Sequence, residues 1–245
     1  TSKYTIRKRA AAVLDRISEC YDSNFVLPVA LPAIQSLLSS TASCWDRESG
    51  LMALGAIASG CMEAIRGSID SIFPYLLTNV STNTNPSTMG ETPPEIRSIS
   101  CWVLGRYCQL LFASEDLYEN EDLNEQLKEQ AIKMSRVAHD KYYRPLLEGL
   151  LRMMGDTVPS VQSAACSALF GVLQAAGDTG EVDVVPYLMT ILQAIEQASL
   201  VYGIKNNLLL CDFIGAIADI VGPTLGETQY CSIVLPLIMR KFDAY

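Results

Sequence analysis

The chain has 245 residues, 49% hydrophobic and only 18% charged, which supplies a large core for one or two domains. Its formal net charge of −9 and pI near 4.7 argue against direct contact with nucleic acid. An acidic surface of this kind suits a basic partner or plain solubility. No run of 18 apolar residues occurs, so membrane insertion is not expected, and no signal-peptide pattern opens the chain.

Apolar spacing is helical throughout, and no segment keeps a period of two, so the expected fold is all-α with essentially no β-structure. Helices are predicted at about 4–20, 25–39, 46–64, 68–80, 94–113, 141–154, 159–176, 182–201, 204–221 and 228–242. Two kinds alternate. One opens with a basic or amide residue followed by small ones: Ile6-Arg-Lys-Arg-Ala-Ala-Ala-Val-Leu, Asp46-Arg-Glu-Ser-Gly-Leu-Met-Ala-Leu, Ile96-Arg-Ser-Ile-Ser-Cys-Trp-Val-Leu, Val161-Gln-Ser-Ala-Ala-Cys-Ser-Ala-Leu and Ile204-Lys-Asn-Asn-Leu-Leu-Leu. The other carries a proline, expected in its first turn: Leu31-Pro-Ala-Ile, Phe73-Pro-Tyr-Leu, Arg144-Pro-Leu-Leu, Val185-Pro-Tyr-Leu and Leu235-Pro-Leu-Ile.

Anchored on Arg7, Arg47, Arg97, Gln162 and Lys205, the small-residue helices recur at spacings of 40, 50, 65 and 43. A base period near 40 with two insertions fits HEAT-type helical hairpins. Small side chains let neighbouring hairpins approach closely, so that each buries its apolar stripe on the next. The expected architecture is an α-solenoid: about ten antiparallel-paired helices in a right-handed superhelical array. It is a single array over residues 1–245, cut from a longer solenoid. Residues 81–93 read as a flexible loop insertion. The insertion at 114–140 begins acidic and then favours an extra helix near 121–138, ending around Asp140.

Little in the sequence suggests catalysis. It has no Gly-rich phosphate loop, no nucleophile elbow and no zinc-protease motif. The one histidine, His139, falls in the inserted segment and reads as incidental. The eight cysteines form no C-x-x-C pair, and reduced, buried thiols are the expectation. No enzyme, metal site or cofactor is expected.

The informative residues are those that escape the core stripe of each small-residue helix. In the first, Ile6, Val13, Ile17 and Cys20 make the stripe, leaving Ala11, Ala12 and Asp15 opposite. Met52 lies off the stripe of Leu51, Leu54, Ala58 and Cys61. Ile99, Trp102 and Arg106 lie opposite Cys101, Leu104, Cys108 and Leu111. Gly171 and Gln174 oppose an alanine-rich face. Asp212, Ala216 and Asp219 line the far side of Leu210, Ile214, Ile217 and Val221. HEAT arrays place such helices on the concave side. These faces would then form one inner surface, apolar around Met52, Ile99 and Trp102 and acidic at Asp212 and Asp219. An extended peptide with basic residues and an aromatic group suits it. Packing between repeats is an equal reading of Trp102 at this point.

The segments Thr5-Ile-Arg-Lys-Arg-Ala-Ala-Ala-Val-Leu-Asp15, Glu48-Ser-Gly-Leu-Met-Ala-Leu-Gly-Ala-Ile-Ala-Ser-Gly-Cys-Met62, Arg97-Ser-Ile-Ser-Cys-Trp-Val-Leu-Gly-Arg-Tyr107, Val161-Gln-Ser-Ala-Ala-Cys-Ser-Ala168 and Lys205-Asn-Asn-Leu-Leu-Leu-Cys-Asp-Phe-Ile-Gly-Ala-Ile-Ala-Asp219 resemble the transportin family of karyopherin-β nuclear import receptors. The resemblance covers nearly the whole chain apart from the two insertions and points to a central segment of such a receptor. It implies binding of extended basic nuclear localisation signals that end in Pro-Tyr, release of cargo by RanGTP, contact with nucleoporins, and shuttling between cytoplasm and nucleus. By that resemblance Ala11, Ala12, Asp15, Met52, Ile99, Trp102 and Arg106 match the Pro-Tyr pocket. Asp212 and Asp219 match acidic positions, Asp212 being one that receives basic signal residues. Gln174 stands where the family has a glutamate, Gly171 and Ala216 where it has hydroxyl side chains, and Met52 where it has a leucine. The rival expectation is a structural HEAT scaffold of the phosphatase-scaffold kind, holding folded partners.

Overall fold

The computed structural model describes residues 6–39, 43–81, 92–113, 124–179 and 184–243. Among them there is no strand, and the elements are α1 (Ile6–Cys20), α2 (Ser23–Leu38), α3 (Cys44–Ala56), α4 (Ala58–Ile65), α5 (Ile69–Ser81), α6 (Pro94–Tyr107), α7 (Glu125–Met154), α8 (Pro159–Thr179), α9 (Val185–Val201), α10 (Ile204–Val221) and α11 (Thr228–Asp243). Short 3-10 turns follow α4, α6 and α10. The loop expected at 81–93, but for Ser81, Thr92 and Pro93, and the acidic 114–123 lie outside the described residues.

The small-residue helices form one layer, with α1 against α3 and α4, α3 against α6, α6 against α8, and α8 against α10. The proline-bearing helices back this layer, α5 against α7, α7 against α9 and α9 against α11, and the hairpins α2–α3, α5–α6 and α7–α8 join the two layers. One continuous core runs between them, including Leu51, Phe73, Leu104, Tyr107, Leu146, Val161, Leu188 and Phe213. This is the all-α solenoid that the periodicity predicts.

Glycines set how closely the small-residue helices approach. A Cβ on Gly60 of α4 would lie 1.7 Å from the Ser18 carbonyl oxygen of α1. One on Gly105 of α6 would meet the Ala168 Cα of α8 at 2.9 Å. Both contacts are with backbone, so no side-chain rotation could relieve the clash.

Several local expectations are corrected. The stripe Ile6, Val13, Ile17 and Cys20 is not core: all four are exposed, Ile6 by 90%. α1 instead turns Leu14 and the buried Ser18 towards α3 and α4, because Gly60 admits the backbone there. The helix expected over 46–64 is interrupted at buried Ile57, and the one over 94–113 tightens into a 3-10 turn after Tyr107. The inserted helix does not stop at Asp140 but runs on as the 30-residue α7. His139 accordingly lies within α7 and is not the exposed residue expected. It is half-buried and stacked on Tyr143, ring centroids 4.7 Å apart, with Phe112 beside both. The first-turn rule for prolines holds for Pro186 of α9 but not for the others. Pro28, Pro32, Pro74, Pro145 and Pro236 lie inside their helices, while first-turn prolines also start α6 and α8. All five interior prolines are exposed, so the carbonyl each deprives of a donor can be met by water.

A buried polar ladder ties the start of one hairpin to the next. Arg97 of α6 donates twice to Asp156, at 2.7 and 3.1 Å, and once to the Thr92 carbonyl. Asp156 also accepts from the Val158 amide, and its carbonyl accepts from Gln162 of α8 at 2.7 Å. Gln162 accepts from Asn206 of α10 at 2.9 Å, and Asn206 donates also to the Pro159 carbonyl. The repeat anchor in α10 is therefore Asn206, not Lys205, which is exposed. Elsewhere Asp70 of α5 accepts from Lys141 and Tyr142 of α7 at 2.8 and 2.6 Å.

The cysteine expectation holds for half the set. Cys61, Cys101, Cys108 and Cys166 are buried, and burial pushes the Cys108 thiol up to about 12. Cys20 and Cys211 are exposed instead. α10 and its following turn, Ile204–Gly226, have the length and hydropathy of a membrane span. In this fold α10 carries exposed Asp212 and Asp219 on one side and buries Leu210, Phe213 and Ile217 on the other.

Two predictions follow from these contacts. Arg97→Ala leaves the Asp156 carboxylate buried without its ion partner and is expected to destabilise the fold by about 3–5 kcal/mol, measured by urea unfolding. The hydrogen bonds from Lys141, then Tyr142, hold the Asp70 carboxyl below its usual range. Its contribution is complete above the unfolded pKa of about 3.9 and is lost as pH falls through the depressed folded value. Asp70→Asn should flatten that acid limb in thermal melts taken across the range.

Candidate functional site

An open groove of about 1210 Å³ runs across the small-residue layer. Its walls come from α1 (Lys8, Ala11, Ala12, Asp15), α3 (Glu48, Met52, Ala56), α6 (Glu95, Ser98, Ile99, Trp102, Gly105, Arg106), α8 (Pro159 to Ala168) and the start of α10 (Gly203 to Asn206). Seven of the sequence-predicted site residues meet here: Ala11, Ala12, Asp15, Met52, Ile99, Trp102 and Arg106. They come from three helices: on α3 and α6 they sit on the face opposite the buried stripe, as helical spacing requires, whereas on α1 Ala11 and Asp15 lie beside the inward-turned Leu14 and Ser18.

Trp102 is the centre of this wall. The residue is 36% exposed, high for one whose apolar area favours burial. It rests against Gly55 of α3: a Cβ there would come within 2.2 Å of the indole. Arg106, one turn on, spans the groove floor. Its Nη2 donates to Asp15 of α1 and Ser59 of α4, both at 2.6 Å, and its Nε donates to the Gly55 carbonyl at 3.3 Å. Its guanidinium lies 5.8 Å from the Trp102 ring centroid. Arg106 and Asp15 are each 32% exposed, so solvent screens the pair and its value lies in fixing geometry. Behind them buried Tyr107 donates to the Leu54 carbonyl at 2.8 Å, locking α6 on α3. The result is a rigid apolar wall of Ala11, Met52, Ile99 and Trp102 with one ion pair at its end.

The remaining predicted residues are elsewhere. Gly171, Gln174, Asp212, Ala216 and Asp219 do not line the groove. The groove crosses α8 near its beginning and meets α10 only at its N-terminus. Asp212 lies seven residues beyond Lys205, about 10 Å along the helix, and Gln174 stands equally far beyond Ser167. Between α6 and α10 the groove is lined by Ser98, Ser160, Ser163, Ser167 and Lys205. The walls carry Asp15, Glu48 and Glu95 against Lys8, Arg106 and Lys205. Although the whole chain is acidic, the groove itself is balanced in charge.

Sequence reasoning missed the hydroxyl wall and Gly55. Gly55 belongs to a run of small residues whose core-or-groove assignment depends on where the neighbouring helix crosses. Among the described residues no cluster of three or more metal-ligating side chains occurs.

The stacked-hairpin fold with a groove shared by successive helices defines an all-α solenoid of the HEAT class, and the HEAT-like repeat family matches residues 45–107, from α3 through α6. Over nearly its whole length the chain is homologous to transportins and importin β-2 chains. It is 32% identical to Transportin-1 of Homo sapiens over 243 residues, which is 99% of this chain and 23% of that protein. It is 32% identical to importin subunit beta-2 of Schizosaccharomyces pombe over 98% of this chain, and 30% identical to transportin of Dictyostelium discoideum over the same share. The chain spans 23% and 22% of those two relatives' lengths.

Gly55→Ala places a methyl group in the space of the Trp102 ring. The expected outcome is a displaced indole, read as a changed near-UV circular dichroism band, at a cost of about 1–3 kcal/mol in stability. An unchanged band would show that the ring does not rest on Gly55.

Proposed function

We propose that this chain is part of a karyopherin-type nuclear import receptor and holds the Pro-Tyr end of an extended localisation signal in the groove. The observation that carries the reading is the convergence of Ala11, Ala12, Asp15, Met52, Ile99, Trp102 and Arg106 on one open, rigid, largely apolar wall. Proline and tyrosine rings would bury against Trp102, Ile99 and Met52. The tyrosine hydroxyl would find polar company at the Asp15–Arg106 pair. Homology with transportins and importin β-2 chains supports the same reading.

Recognition on this account is equilibrium binding without catalysis. The charge-balanced groove gives the basic part of a signal a weaker role than the acidic residues of α10 suggested from sequence. In the complete receptor RanGTP would release the cargo, nucleoporins would be transient partners, and the protein would shuttle between cytoplasm and nucleus.

The chain is further proposed to be one stretch of a longer array. Ile6, Val13 and Ile17 on α1, with Phe25 and Val29 on α2, leave one end apolar and exposed, and Leu235, Met239 and Phe242 on α11 do so at the other. Stripes of this kind are what neighbouring hairpins cover in a solenoid.

Trp102→Ala is expected to weaken a peptide ending in Pro-Tyr by at least tenfold, about 1.4 kcal/mol, by isothermal titration against both proteins. Equal affinities would sink the site assignment. No binding by either protein, together with capture of folded partners, would favour a structural scaffold.

A further inference from the structure

The chain has two tryptophans, and the second is also exposed: Trp45 of α3 is 55% accessible. It is held rather than loose. The Arg7 guanidinium of α1 lies 5.0 Å from its ring centroid, and Arg7 donates to Glu48 at 2.7 Å. Glu48 is itself a wall residue of the groove. On α3, Trp45 shares a face with Met52 and Ala56, which are seven and eleven residues on and within about 20° of it around the axis. That face forms part of the groove wall at Met52 and Ala56. Trp45 is not itself in the groove lining but lies on the same helix face two turns before Met52, and the Arg7 guanidinium over its ring leaves it in solvent. An indole left more than half in water, yet fixed by a cation over one face, is prepared for an apolar contact.

We propose that Trp45 forms a second apolar subsite of the groove, taking a leucine-like or aromatic side chain of the same bound segment; this rests on the peptide-binding reading above. The spacing follows from the helix. Gly55, on which Trp102 rests, is ten residues from Trp45, about 15 Å along α3. An extended peptide advances about 3.3 Å per residue and turns alternate side chains to the same side. The second side chain thus belongs about four residues from the one on Trp102, on the same side of the peptide. Two residues falls short of Trp45 and six overshoots it.

Having only two tryptophans makes each subsite separately visible. Trp102→Phe leaves Trp45 as the sole indole reporter, and Trp45→Phe leaves Trp102. The probes are synthetic peptides ending in Pro-Tyr with leucine two, four or six residues before the tyrosine, or serine at all three positions. The four-residue peptide, at saturation, is expected to shift the emission of both reporters and to bind the unaltered chain about fivefold more tightly than the serine peptide. The serine peptide should shift Trp102 alone. Trp45→Ala should erase the fivefold gain while Trp45→Phe, which keeps a ring, retains most of it, separating contact from loosened packing of α3. A leucine gain of equal size in Trp45→Ala would overturn the subsite, as would a Trp45 emission that stays fixed while Trp102 responds. If neither indole responds to any peptide, the groove reading falls, and this proposal with it.

Discussion

How closely neighbouring helices can approach governs everything else in this molecule. Glycine at 60 lets α4 meet the backbone of α1, and glycine at 105 lets α6 meet the backbone of α8. Glycine at 55 gives the same freedom to a side chain, since the Trp102 ring occupies the place of its missing Cβ. A layer packed on larger side chains would hold its helices further apart, and an indole would fill the gap between them. Here the backbones do the packing and the indole is left over for the groove. That the Trp102 ring both packs on α3 and lines the groove depends on a residue with no side chain at all.

The buried ladder complements this spacing with register. Close packing of small residues is smooth and by itself lets one helix slide along another. Arg97, Asp156, Gln162 and Asn206 supply directional, desolvated bonds that are satisfied only in one alignment of α6, α8 and α10. Such bonds add modestly to net stability but penalise misalignment heavily, because a slipped register strands polar groups in the core. The groove's walls stay in line because its backing does.

Much of the fold was legible because helical periodicity and small-residue runs record burial directly. The order of the helices, the buried stripes of α3, α6 and α10 and the shared face of Ile99, Trp102 and Arg106 could all be read that way. What was not legible depended on contacts between elements. The α1 stripe looked like core, and only the position of α4 shows which side of α1 is covered. Asp212 and Asp219 share a face, but whether that face meets the groove depends on the groove's path across the layer, which no single helix encodes. The interior prolines break a local rule because solvent exposure, invisible in a hydropathy pattern, makes the break inexpensive. His139 looked exposed because its segment is polar, yet the continuity of α7 brings it onto Tyr143.

The Arg106–Asp15 bridge joins residues 91 positions apart in a fold whose other contacts mostly link adjacent hairpins. It gives the groove a thermodynamic role in the array. α1 is lightly held, with Ser18 its one buried residue, and such a helix can open locally while the rest stays folded. On the proposed reading, an occupant of the groove would touch α1, α3 and α6 at once and bind only when α1 is seated. By mass action it must therefore protect α1 against local opening, by an amount that grows with the logarithm of its concentration over its dissociation constant. Amide hydrogen exchange in α1 would then act as an occupancy gauge for a site centred on α6, with the ligand clamping an element most of a hundred residues away in the chain.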